Sequence, residues 1–294
     1  MKSQVVLSEC LEFLRTLPPE SVDLIYVDPP FNTGKVQRLI SIRTVRDERG
    51  DRTGFQGARY RTETLSSLYY ADMFDDYLDF LEPRLNEAHR VLKIHGSLYF
   101  HIDYREVHYC KVLLDRIFGR DHFLNEIIWA YDYGGRPKDR WPPKHDDILF
   151  YVKNIDRYYF DRDEVEKIPY MAPGLVGPEK AARGKFPTDT WWHTIVPTNG
   201  SERTGYPTQK PLGILRRIIQ ASSKPGDLVL DFFAGSGTTG EAAMALGRRA
   251  ILVDNNPEAL RVMADRFRGL PDIEWVNFQP SWSAGSSSQG VLFS

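Results

Sequence analysis

The chain has 294 residues, of which 41% are hydrophobic and 27% charged, and its formal net charge is −2. These proportions exclude a disordered or membrane-spanning chain and leave room for one large α/β domain with an insertion, or for two small domains. The near-neutral balance means that any nucleic-acid surface has to come from local clustering of charge, and two cysteines, Cys10 and Cys110, are too few for a disulfide framework or a four-ligand zinc site, so no metal is implied.

The amino-terminal MKSQVVLSEC lacks the apolar core of a signal peptide, and no apolar run approaches about eighteen residues, so a cytoplasmic protein with no membrane contact is expected. Residues 4–7 (QVVL) and 22–27 (VDLIYV) read as strands, and CLEFLRTL between them as a helix, because its apolar positions recur at helical spacing. Pro29 and Pro30 cannot donate to a sheet ladder, so Asp28 is expected at the carboxyl end of a buried strand. In open α/β sheets that edge is where ligands bind. From Lys35 to Arg61 the pattern vanishes, and eight Lys or Arg stand against Asp47, Glu48 and Asp51. Residues 35–66 are therefore read as a mobile basic loop, either a solvated excursion or a surface for polyanions.

Residues 77–92 read as a helix, 97–103 (SLYFHID) as a strand and 107–118 as a helix, a further βαβ unit. EIIWAY and DILFYV flank the basic, Gly- and Pro-rich YGGRPKDRWPPK, which reads as a hairpin with a long tip. Residues 154–205 show no clean period and are read as an insertion or small subdomain. The last third returns to α/β order: a helix over 212–222, the strand DLVLDFF, a Gly-rich turn, a helix over 240–246, the strand AILVD and a helix over 257–267. Residues 280–294, rich in Ser and Gly, read as a disordered tail.

Two segments carry chemistry. Residues 231–240 (DFFAGSGTTG) follow a strand and open a helix; Gly235 and Gly237 let the backbone approach a nucleotide-like ligand, and the helix start offers unpaired N–H groups. Asp254, one strand later, is placed to accept from ribose hydroxyls. An ordinary tight strand-to-helix turn would look similar. No Gly-Lys-Ser/Thr follows and the pattern departs from GxGxxG, which weakens phosphoryl and hydride transfer. The second segment is Asp28-Pro29-Pro30-Phe31. An exocyclic base amino group is a poor nucleophile, because its lone pair is delocalised into the ring. A carboxylate from Asp28 and a backbone carbonyl from Pro29 or Pro30 could each accept one N–H and turn that lone pair outward, with Phe31 as a stacking face. Alone, the same four residues could merely terminate a strand.

In combination, DPPF near the amino terminus and FAGSGTT near the carboxyl terminus resemble the β-class amino-directed DNA methyltransferases, in a version close to type III modification subunits. Further matches are RVLKIHGSLYFHID (90–103), HDDILFYVK (145–153) and PTQKP (207–211). The resemblance implies an α/β, three-layer Rossmann-like methyltransferase fold, with a mostly parallel, permuted-order sheet and an inserted target-recognition region. It implies S-adenosyl-L-methionine as cofactor and methyl transfer to the amino group of a flipped base.

By the same resemblance, Asp28, Pro29, Pro30 and Phe31 are catalytic. Asp231, Phe232, Phe233, Ala234, Gly235, Ser236, Gly237, Thr238 and Thr239 hold the methionine part of the cofactor with Thr208 and Lys210, and Asp254 and Asn255 bind its ribose side. Ser8, Glu9 and Cys10 stand at the first cofactor-contacting turn, although Ser8-Glu9 departs from the family's Gly-Asp. Lys35, Arg38, Arg43 and Arg46, with Arg136, Lys138, Arg140 and Lys144, would contact DNA phosphates. Residues 1–153 form the catalytic half, 154–205 the target-recognition insertion and 206–279 the cofactor half. Double-stranded DNA is the expected partner, with a cognate restriction endonuclease and a homodimer as further possibilities.

Asp28 favours adenine N6 over cytosine N4, since the family leans to Asp for the former and Ser for the latter. Cytosine-C5 methylation is set aside, because neither cysteine follows a proline. An RNA- or small-molecule-directed enzyme and an inactive DNA-binding relative remain alternatives. The scattered histidines read as structural rather than as ligands.

Overall fold

A computed structural model describes residues 2–32, 35–46, 52–53, 59–72, 76–197, 200–270 and 272–282, giving backbone alone for 35–46, 52–53, 60 and 62–72. The chain opens with β1 (Ser3–Leu7), α1 (Cys10–Thr16) and β2 (Val22–Val27). All six residues of β2 are buried, as expected for a strand covered by helices on both faces. Next come β3 (Lys35–Arg46), β4 (Arg52–Thr53) and β5 (Arg59–Asp72). They are followed by α2 (Tyr77–Val91), β6 (Leu92–Ile102), α3 (Val107–Phe118), β7 (Phe123–Ala130) and β8 (His145–Val152). The insertion contributes α4 (Pro178–Arg183) and β9 (Thr190–Trp192). The last third forms α5 (Leu212–Ser222), β10 (Leu228–Asp231), α6 (Thr238–Ala245), β11 (Arg249–Asp254), α7 (Pro257–Arg266) and β12 (Ile273–Val276).

Nine strands make one sheet in the order β12-β1-β11-β10-β2-β6-β8-β7-β9. β8 alone runs against its neighbours, so the sheet is mostly parallel. One core packs α1, α2 and α3 through Leu14, Leu81, Leu85, Leu113 and Leu114 on one face. The other packs α5, α6 and α7 through Ile214, Ile218, Ala242, Leu260 and Met263 on the opposite face. This is the expected three-layer, permuted α/β fold: β10 pairs with β2 at Val229–Leu24 and Leu230–Ile25, although the two strands come from opposite ends of the chain. Buried Asp23 ties them further, its Oδ2 accepting from the Leu228 amide at 2.9 Å.

Three elements differ from the sequence reading. The segment read as a basic loop forms a separate antiparallel sheet in the order β3-β5-β4. Its charges draw attention from its Val, Ile, Thr and Tyr content, which favours extended backbone. The insertion is not detached: β9 joins the main sheet parallel to β7, and Asp161 donates its amide to the Ala221 carbonyl at 2.7 Å. A three-residue strand is too short to show a period. β12 likewise adds an edge strand beyond β1. At the start of the expected tail, Trp282 donates Nε1–H to the Ala264 carbonyl at 3.3 Å, and residues 283–294 lie outside the described ones. No helix among the described residues is long and apolar enough to cross a membrane, and none of their His, Cys, Asp and Glu side chains group as metal ligands.

Candidate active site

The carboxyl ends of β1, β11, β10 and β2 lie side by side, and the chain turns away from each with a polar residue: Ser8-Glu9, Asp254, Asp231 and Asp28. Above them opens a cavity of about 560 Å³. Glu9, Cys10, Asp28, Pro29, Pro30, Phe31, Thr208, Lys210, Asp231, Phe232, Phe233, Ala234, Gly235, Ser236, Thr238, Thr239, Asp254 and Asn255 all line it. The two motifs thus meet in one space because their strands are neighbours in the sheet.

At the glycine turn, Asp231 is almost wholly buried. It accepts from the Thr239 hydroxyl at 2.6 Å and the Phe233 amide at 3.1 Å. Burial pushes its carboxyl up to about 7; Asp28 and Asp254 add to the rise, against those two hydrogen bonds. Asp254 accepts the Gly235 amide at 2.8 Å and the Asn256 amide at 2.9 Å, binding the turn to the end of β11. Burial raises its carboxyl as well. Gly237 sits at φ 75°, where a Cβ would meet Met263 at 2.7 Å, so this glycine shapes the helix start and does not line the cavity. Ser8 does not line it either; its hydroxyl is turned to the Glu9 carbonyl at 3.0 Å.

Glu9 caps α1 by accepting the Glu12 amide at 3.0 Å and pairs with Arg84 at 2.5 Å. Burial pushes its carboxyl up, but the Glu12 amide, Arg84 and Cys10 together hold it below the ordinary range. Cys10 accepts from Arg84 Nε at 3.1 Å, and burial raises its thiol to about 12, so it is no nucleophile near neutral pH.

On the other side, Asp28 has two unlike oxygens. Oδ2 lies 3.1 Å from the Lys210 ammonium. Oδ1 is buried with no hydrogen-bond partner among the described residues, an arrangement that costs free energy unless something outside the chain donates to it. The Pro30 carbonyl accepts from the Tyr77 hydroxyl at 2.6 Å. Asn32, in the left-handed region at φ 53°, ends the turn and donates to Glu106 at 3.0 Å. The Lys210 ammonium lies 4.6 Å from the centre of the Phe31 ring.

Beneath this pair runs a buried polar chain. The Tyr26 hydroxyl, kept protonated by burial, meets His101 Nδ1 at 2.7 Å. His101 Nε2 meets Asp146 Oδ2 at 3.2 Å, and the Tyr131 hydroxyl donates to Asp146 Oδ1 at 3.0 Å. The sequence marks His101 only as structural and does not single out Asp146, Tyr26, Arg84, Phe80, Tyr206 or Gln209, all of which line the cavity or stand behind it. Nothing in their spacing distinguishes them, since they are scattered over separate elements.

The expected DNA contacts divide. The Lys144 ammonium donates to the carbonyls of Tyr133, Gly134 and Gly135 at 2.7, 2.9 and 3.1 Å, closing the tip of the β7–β8 hairpin. Arg136 pairs with Asp132 and Arg140 with Asp139, all exposed, and Lys138 is exposed on the same tip. Exposed pairs of this kind are worth little and exchange readily for a phosphate. Lys35, Arg38, Arg43 and Arg46 lie on β3, and their side chains are outside the described residues.

Residues 22–265 match the sequence model of a family described as DNA methylase. The chain is similar to the type II methyltransferase M.HpaI of Haemophilus parainfluenzae, 30% identical over 93% of this chain and 78% of that protein. It is 32% identical to the DNA adenine methyltransferase YhdJ of Escherichia coli (strain K12), over 88% of this chain and 80% of that one. Among solved structures, the cytosine-N4-specific PvuII DNA methyltransferase superposes with a TM-score of 0.61 at 17% identity, covering 92% of this chain and 88% of that chain. The M1.HpyAVI–SAM complex superposes with a TM-score of 0.57 at 20% identity, covering 90% and 98%.

Proposed function

The chain belongs to the amino-directed DNA methylase family, and from that premise we propose that it transfers a methyl group from S-adenosylmethionine to the exocyclic amino group of a base flipped out of double-stranded DNA, adenine N6 being the target. One observation carries the reading: Asp28, whose Oδ1 is buried with no hydrogen-bond partner among the described residues, lines the cavity that the glycine turn shapes.

The donor set fits this cofactor. Asp231 offers a carboxylate for the ammonium of the methionine part, and Asp254, with Asn255 beside it, stands where ribose hydroxyls would be accepted. Phe80 and Phe233, with ring centres 6.1 Å apart, and Tyr206 give the cavity apolar wall. When bound, S-adenosylmethionine supplies an electrophilic methyl carbon on a sulfonium sulfur. The chain's own residues prepare the nitrogen: Asp28 Oδ1 accepts one N–H and the Pro29 carbonyl the other, which turns the lone pair out of conjugation, while Phe31 offers a ring face to the base. Asp28 in the first motif position supports adenine; the amino groups of adenine and cytosine are chemically alike, so this preference is statistical.

Incubation with labelled S-adenosylmethionine and unmethylated genomic DNA, followed by nucleoside mass spectrometry, tests the whole reading. N6-methyladenine is the expected product. N4-methylcytosine would reassign the base, and label confined to an RNA competitor would reassign the substrate class. A restriction endonuclease paired with this enzyme fits the type II relatives and belongs to the same proposal.

For the DNA face, the β3–β5 hairpin follows the carboxyl end of β2 in the chain and the tip of the β7–β8 hairpin follows that of β7, and Trp141 on the latter is 94% exposed. We place the duplex phosphates against these two hairpins. Replacing Lys35, Arg38, Arg43 and Arg46 together with Ala is expected to reduce the slope of log affinity against log salt by roughly 3 to 4, since each phosphate neutralised contributes about 0.9. Fluorescence anisotropy with a labelled duplex between about 50 and 200 mM salt checks this; an unchanged slope would remove β3 from the interface.

A further inference from the structure

Lys210 belongs to the TQKP segment, which the family resemblance assigns to the cofactor, yet its ammonium lies 3.1 Å from Asp28 Oδ2. We propose that Lys210 is a positioning residue for methyl transfer: it holds Oδ2 of Asp28, so that Oδ1 is left as the acceptor for the target amino group. This rests on the reading given under Proposed function.

The first argument is burial. Lys210 retains only 9% of its side-chain exposure, and a lysine is kept there charged only by compensation. Compensation comes from two carboxylates, Asp28 at 3.1 Å and Asp146 at 3.9 Å. Asp146 in turn cannot swing away, because His101 holds one of its oxygens and the Tyr131 hydroxyl the other. Burial works against ionisation of Asp146, but the His101 hydrogen bond and the Lys210 charge keep its carboxyl below the ordinary range. Lys210 is thus fixed from behind by a carboxylate that is itself fixed.

The second argument is the backbone that delivers the side chain. Thr208 adopts φ 60°, a conformation that a β-branched residue rarely takes. The turn persists because Gln209 accepts from the Thr204 amide and hydroxyl, both at 2.8 Å, and donates to the Glu202 carbonyl at 2.7 Å. Glu202 also accepts the Leu212 amide at the start of α5. The segment is tethered at three points and directs Lys210 across to β2.

The third argument is the asymmetry of Asp28. A carboxylate with both oxygens free could rotate and present either; one oxygen engaged by a fixed cation leaves a single direction for the other. The charged and titratable groups around this site are Lys210 from the turn before α5, Asp231 from β10, Asp254 from β11, Asp146 from β8, His101 from β6, Tyr26 from β2, and the Glu9–Arg84 pair from α1 and α2. Lys210 is the cation among them that pairs with Asp28. Without it, Oδ2 of Asp28 loses its ion pair and nothing fixes the direction of the carboxylate.

The test compares wild type, Lys210→Met and Lys210→Arg in single-turnover methylation of duplex DNA at pH 7.5, with S-adenosylmethionine affinity measured separately by calorimetry and folding by thermal melting. Lys210→Met is expected to lower the transfer rate roughly a hundredfold and to change cofactor affinity less than about threefold. Lys210→Arg should recover part of the rate. A cofactor affinity weakened more than tenfold would overturn the proposal and make Lys210 a cofactor ligand; an unaltered rate would overturn it as well. Should Lys210→Met fail to fold, Lys210→Gln carries the same measurements. Absence of methylation by the wild type in the parallel reaction counts against the methyltransferase reading itself, a separate result.

Discussion

Asp28→Ala is expected to lower methyl transfer by at least about three orders of magnitude while leaving cofactor binding intact. The variant loses a buried carboxylate oxygen that lacks a partner among the described residues, and the Pro29 carbonyl alone cannot turn the amino lone pair out of the ring plane. Loss of the Asp28 charge also relieves Asp231, whose carboxyl Asp28 helps to push up, so cofactor affinity near neutral pH should hold or tighten slightly. Lys210 is left with Asp146 at 3.9 Å, and the protein should therefore remain folded. Nucleoside mass spectrometry and calorimetry on the same preparation check both halves. Turnover like that of wild type would end the amino-acceptor mechanism, and lost cofactor binding would place Asp28 in the cofactor site.

Asp231→Asn should separate stability from function in the opposite direction. The folded-state carboxyl lies at about 7, above its unfolded value of 3.8. A group raised in this way contributes stability that is fully present below about pH 4 and is lost as the pH climbs through 7. An uncharged amide escapes that loss, so the cofactor-free variant should be more stable than wild type at pH 8, by roughly 2–4 kcal/mol, because each tenfold change in a protonation equilibrium is worth about 1.4 kcal/mol. Cofactor affinity should fall roughly ten- to hundredfold, the value of a hydrogen bond to a charged group.

Binding of a cationic ligand favours the ionised carboxylate, so wild-type affinity should rise from pH 6 to pH 8 and binding near pH 7 should release protons. Both trends should vanish in the variant. Denaturant unfolding at pH 5 and pH 8, with calorimetry in buffers of different ionisation enthalpy, gives the measurements; a variant less stable than wild type at pH 8 would contradict the assignment of Asp231 as a strained, functionally retained charge.

Much of the scaffold is local in origin and legible as such. Helices over 107–118 and 212–222 appear with the expected bounds, and the strand over 22–27 likewise, because apolar periodicity and the Pro29-Pro30 stop are properties of contiguous residues. Where sequence and structure part, a local signal is masked or absent. The β3–β5 hairpin carries strand-forming residues beneath a conspicuous density of arginine. β9 and β12 are too short for any period. Lys144 resembles its basic neighbours in sequence and differs only because three carbonyls of a tight tip converge on it.

The amino-acid sequence by itself determined the α/β class and the positions of the two motifs at strand ends, since each depends on residues adjacent in the chain. Tertiary structure alone decided which side chains serve the Asp28 carboxylate. Asp28, Lys210, Asp146, His101 and Tyr131 come from separate elements, and their mutual charges and hydrogen bonds acquire meaning only once β10 lies beside β2 and the TQKP turn folds over both. Electrostatic energy depends on distance through a low-dielectric interior, and separation along the chain carries no information about it.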